Sequence, residues 1–172
     1  MTDNNVDIAL RKQLIFQLKE AGIDIPVKAG FQSTKQGREE NMVMFFPIDE
    51  HGHGWQGRKY NVQGEKANHQ ESQLSEKTYQ FQALITDSEH YTAGDITAIV
   101  RMITNSLPFV EALRKQGIGI QRASTIRRPY FLNDHGNYEQ NPSFDLTVSF
   151  TRTLLPDTAA VSALYRRRST GF

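Results

Sequence analysis

His51 and His53, one residue apart in the run HGHGW, are the first side chains here with a capacity for chemistry, since two neighbouring imidazoles can ligate zinc or nickel. A closed zinc site takes about four ligands, and the chain has no cysteine to supply the rest. His69, His90 or His135 would have to converge on the pair from a distance. A solvated pair of histidines is therefore the favoured reading, and no metal is expected. Nucleophilic catalysis is no better served, for serines and histidines occur without a G-x-S-x-G elbow or a cysteine. Gly117-Ile118-Gly119-Ile120 lacks the third glycine of a dinucleotide fingerprint and precedes a strand, whereas phosphate binding needs a helix N-terminus; it reads as a turn. Asp24, Asp49, Asp87, Asp95 and Asp134 sit mostly at turns and caps, with nothing to pair two of them for acid–base work. No catalytic residue, no enzyme activity and no cofactor are expected.

The cluster Arg127-Arg128-Pro129-Tyr130-Phe131 has a different character. Arginine forks bind carboxylates bidentately, and tyrosine and phenylalanine anchor buried contacts, so the cluster reads as a protein interface, with Arg122 and Tyr138 beside it. Two alternatives stand. Tyr130 and Phe131 would pack back onto the sheet while the arginines stay solvated, or the same residues would form a stacking platform for single-stranded nucleic acid. Twenty basic against nineteen acidic residues leave a net charge of +1, so no global field steers the protein onto nucleic acid. Trp55 and Tyr60 form a second candidate contact, and Arg166, Arg167 and Arg168 read as a solvated tail.

The elements that must position these residues show in the periodicity. Ile8, Leu10, Leu14, Ile15 and Leu18 recur at helical intervals and Gly22 follows as a C-terminal signal, which predicts an opening amphipathic helix. Residues 27–31 read as a short strand, residues 33–41 as a polar turn, and MVMFFPID, residues 42–49, as a strand whose Pro47 requires an edge or a bulge. The run from His51 to Gln73 is rich in Gly, Asn, Gln and charge, which predicts a mobile or partner-ordered hairpin. Tyr79, Phe81, Ala83 and Ile85 then alternate with polar residues as a strand. Thr92 and Asp95 resemble a capping box, ahead of a stripe of Ile96, Ile99, Val100, Ile103, Leu107, Val110 and Leu113 that Pro108 kinks or splits. Gly117 closes this helix. Strands at IGIQR and at Phe144, Leu146, Val148 and Phe150 flank a long hairpin with an elaborated tip, about residues 126–142. Past Pro156 the chain is expected to form a short helix or an arm.

At 172 residues, with 38% hydrophobic content and a mean hydropathy of -0.55, the chain suits one domain carrying long polar loops. We expect a single α+β domain over residues 1–155, its largely antiparallel sheet covered on one face by helices, with an extended hairpin at about 49–77 and a C-terminal tail at 156–172. No run approaches the roughly 18 apolar residues of a membrane span, no secretory signal opens the chain, and the lack of cysteine makes a cytoplasmic origin the simplest reading.

Residues 81–154 carry a family likeness. The helix ending in KQGIGIQR, the step IRRPYFLND and the strand YEQNPSFDLTVSF resemble the neck and tail terminator proteins of long-tailed bacteriophages, which cap a finished tail tube and join it to the head. The resemblance implies a tail-terminator-like α+β fold, six copies in a ring around the tail lumen, and no catalysis or cofactor. It implies a place in the neck of the virion, reached from the host cytoplasm during assembly. The partners it implies are the chain itself, the tail tube protein, the head-side connector or neck proteins and the sheath, with DNA only as cargo. The connection from Arg127 to Tyr138 and the sheet edges would then be assembly surfaces. A tube or baseplate subunit is an alternative within the same class.

Overall fold

In the computed structural model, which describes residues 1–30, 41–63, 66–86, 89–132, 138–155 and 157–159, the chain opens with helix α1, Asp3–Glu20. Thr2 caps it by accepting from the Asn5 amide, and Gly22 follows its end at φ 75°, a left-handed conformation that glycine enters without a Cβ clash. Val6, Leu10, Leu14 and Leu18 are its buried stripe. Ile8 was expected in that stripe and is 56% exposed, because two residues from Val6 turn it about 200° around the helix.

Strand β1, Val27–Ala29, leads to β2, Asn41–Gln63, and β3, Lys66–Ile85. Helices α2, Ala93–Thr104, and α3, Leu107–Arg114, precede β4, Ile118–Ala123; then follow β5, Tyr130–Leu132, β6, Tyr138–Gln140, β7, Ser143–Leu154, and β8, Asp157–Ala159. The main sheet runs β1-β2-β3-β7-β4, with β1 parallel to β2 and the other neighbours antiparallel. This is the expected α+β arrangement with a largely antiparallel sheet. The polar turn expected at residues 33–41 lies outside the described residues except for Asn41, the first residue of β2.

Period-two alternation builds the helix-facing side. Phe45, Phe81 and Phe144 lie side by side on β2, β3 and β7, their rings stacked at 5.3 Å between centroids, and Tyr79, Leu146, Val148 and Phe150 extend the same face. Val100, Ile96, Phe109 and Leu113 close the core from the helical layer. The capping box is present: the Thr92 hydroxyl accepts from the Asp95 amide, and the Asp95 carboxylate accepts from the Thr92 amide. Pro108 splits the long helix, and α2 and α3 meet at 54°. That bend turns Leu107, expected in the stripe, outward at 69% exposure and brings Phe109 into the core. Among the described residues no single helix is long and apolar enough to cross a membrane.

Gly117, at φ 79°, closes α3 and leads into β4. Pro47 sits beside a register shift, where Pro47 pairs with Tyr79 and Asp49 with Thr78 while Ile48 has no partner, so the expected bulge is present.

Candidate functional site

The segment that composition marked as a hairpin is a hairpin, but it is laddered as strand through to Gln63 opposite Lys66. A lone two-stranded ribbon is marginal in water, and here a third strand supports it. β7 follows β3 as far as Leu154 opposite Glu71, and β8 pairs with it from Asp157 opposite Asn68, three residues on in each strand, so β7 and β8 share one register on β3. Part of the stretch read as a short helix or an arm is the strand β8, paired with β3; residues 160–172, with Arg166, Arg167 and Arg168, lie outside the described residues. At about 3.3 Å per residue, the ten residues of β3 from Lys66 to Ser75 carry the arm about 30 Å past the aromatic core.

The arm displays what core strands hide. Between His53, opposite Leu74, and Gly57, opposite Ser72, three residues of β2 face the single Gln73. Gly54 allows this bulge at φ 72°, and Trp55 stands on it 98% exposed. Tyr60, 66% exposed, stacks on His69 at 4.5 Å, and the Glu71 carboxylate lies 3.3 Å from His69 and 3.4 Å from Arg58. Nearer the root, His51 lies opposite Glu76, with its Nε2 3.2 Å from the carboxylate, and His53 is on the same face two residues on. Ligand atoms of His51, His53 and Glu76 all lie within 4.8 Å of one another. From sequence, His69, His90 or His135 would have to converge to complete a metal site, and a solvated pair is favoured. His69 is engaged with Tyr60 and Glu71, His135 lies outside the described residues, and the neighbour that arrives is Glu76, which only the strand register could reveal.

At the root, four charges tie α1 to the sheet. The buried Lys77 donates to Asp3 at 2.9 Å and lies 3.6 Å from Glu50, while Arg152 pairs with both carboxylates and lies over the Phe150 ring. Burial raises the pKa of Asp3, but hydrogen bonds from Lys77 and Arg152 outweigh it and hold the carboxyl below its ordinary value. Tyr79 donates to Asp7 at 2.7 Å, and burial first, then that bond, push its phenol well above the usual range. None of these pairings is legible in sequence, because the separations exceed 70 residues for Asp3 with Lys77 and Asp7 with Tyr79.

The arginine and aromatic cluster divides. Arg127 is tied down: it pairs with Asp145 of β7, and its backbone bridges to Ser143 in both directions. Arg128 lies against the start of α2, where a Cβ on Gly94 would come within 3.4 Å of its guanidinium, and it lines an open cleft of about 620 Å³ with Thr92, Gly94 and Asn141. Arg122 is exposed just after a bulge in β4. Tyr130 is 67% exposed on the separate β5–β6 hairpin, in which Phe131 pairs with Glu139 and Tyr138 with Leu132; the side chains of Phe131 and Tyr138 lie outside the described residues. The structure thus gathers Arg128 and Tyr130 on one outer connection and Trp55 and Tyr60 on the arm.

A family model described as E217 gateway protein gp29 matches residues 5–160, most of the 172-residue chain. No curated protein matches the sequence.

Proposed function

Because the chain belongs to the E217 gateway protein gp29 family, a family of phage structural proteins, we propose that it works at the head–tail junction of the virion, as a ring subunit that caps the completed tail tube and joins it to the head-side connector. The observation that carries this reading is the arm formed by β2, β3 and β7–β8, with Trp55 and Tyr60 exposed beyond the core. A ring of identical subunits needs heterologous contacts that close on themselves, and an arm of about 30 Å is long enough to lie on an adjacent copy. The partner of Trp55 and Tyr60 is accordingly the neighbouring subunit. Tyr130 and Arg128, on the outer connection, serve the next component of the neck.

The ion pair between Arg127 and Asp145 weighs against a nucleic-acid platform, since it neutralises one of the two adjacent arginines. The test is assembly. Trp55→Ala combined with Tyr60→Ala leaves the subunit folded and blocks joining, seen by electron microscopy as separate heads and tails. Particles lacking the protein altogether distinguish the two halves of the role, for headless tails of uncontrolled length mean termination and normal-length tails beside full heads mean joining alone. Normal infectious particles from the double variant would overturn the assignment of the arm.

A further inference from the structure

We propose that His51, His53 and Glu76 form a zinc-binding clasp across the root of the arm, independent of the assembly reading. The backbone arrangement is already made. His51 and His53 occupy the short run of β2 between the register shift at Pro47 and Asp49 and the one at His53 and Gly57, where the pairing with β3 is regular. Alternation puts the two imidazoles on one face, and Glu76 is the cross-strand partner of His51 on that face. Donors around one tetrahedral zinc stand about 3.3 Å apart at the usual bond lengths. The His51 Nε2 to Glu76 contact is 3.2 Å, and the whole set of donor atoms is within 4.8 Å, so side-chain rotation suffices to close it.

The donor set suits the ion. Two neutral imidazole nitrogens and one carboxylate oxygen bind zinc with a position left for water, and the exposure of both histidines lets a water or a fourth donor reach it. A bound ion would link β2 to β3 between two bulges, where the register is most easily lost, and so hold Trp55 in a fixed place relative to the core.

Calorimetric titration of the full untagged chain with zinc chloride tests this, with Trp55, the single tryptophan, as an optical reporter for quenching by copper(II) at the same site. One saturable equivalent is expected. Loss of an outer partner of a metal site already costs about 10–100-fold in affinity, so His53→Ala and Glu76→Gln each weaken zinc at least that much. The metal-free melting temperature of His53→Ala stays at the parent value, since that side chain is exposed. Zinc uptake without saturation, or equal affinity in parent and His53→Ala, overturns the clasp.

Discussion

Replacing Lys77 by methionine keeps the volume and removes the charge, so it isolates what the root network contributes. The ammonium is 2.9 Å from Asp3 and 3.6 Å from Glu50, which at an effective dielectric of 20 is a gross attraction of about 6 and about 5 kcal/mol. Desolvation of an almost fully buried ammonium offsets several kcal/mol of that, and breaking a well-buried pair costs about 3–5 kcal/mol. Here the Asp3 side chain is 54% exposed and Glu50 30%, so the abandoned carboxylates rehydrate in part and keep Arg152. The expected loss is about 2–3 kcal/mol, or about 5–10 °C in melting temperature for a chain of this size.

The pH dependence separates charge from packing. Asp3 has a folded pKa below its ordinary 3.8, so its contribution is complete above that value and is lost as pH falls through the folded value. The deficit of Lys77→Met should therefore shrink when thermal melts are taken from neutral pH to below about 3.8. A variant melting within about 2 °C of the parent at neutral pH, or a deficit that does not change with acid, refutes the reasoning.

Tyr79→Phe deletes a hydrogen bond to the Asp7 carboxylate and is expected to cost about 1.5–2 kcal/mol by urea titration. Since the folded phenol is raised, Tyr79 contributes fully below its unfolded pKa of about 10, and its contribution declines as pH rises beyond that; parent and variant show the same phenolate absorbance near pH 10 while folded. Thr92→Ala removes the cap of α2 and costs about 1 kcal/mol, read as a fall of about 2–4 °C in melting temperature.

The parts of the fold legible in sequence are those with one dominant period. Phe144, Leu146, Val148 and Phe150 alternate and are all buried, and Thr92 with Asp95 is the box that its spacing indicates. The arm was legible as a hairpin and illegible as strand, because Gly, Asn and Gln suppress the β signal and the ladder is supported from outside by β7 and β8, residues 143–154 and 157–159. Glu76 stayed hidden for a related reason: Pro47 signals the first bulge of β2, but which residue of β3 stands opposite His51 depends on the full register, which no periodicity announces. Leu107 leaves the buried stripe because the split that Pro108 signals starts α3 in a new direction, and the sequence period does not give the size of that turn.

Adjacent arginines invite treatment as a unit, and the structure argues otherwise. Glu at position 127 would face Asp145 where an ion pair now stands and would disturb the backbone bridge to Ser143, so a failure of assembly in that variant would report a damaged sheet edge. Arg128 has no comparable anchor in β7; its guanidinium rests against Gly94 at the head of α2, on a connection outside the main sheet. Tyr130 is likewise on the small β5–β6 hairpin, apart from the aromatic core. Contacts with a partner can therefore be altered at Arg128, Tyr130, Trp55 and Tyr60 while the stacked phenylalanines and the root network keep the subunit folded. It is this separation of display from core that makes an assembly defect at those four positions interpretable as a lost contact.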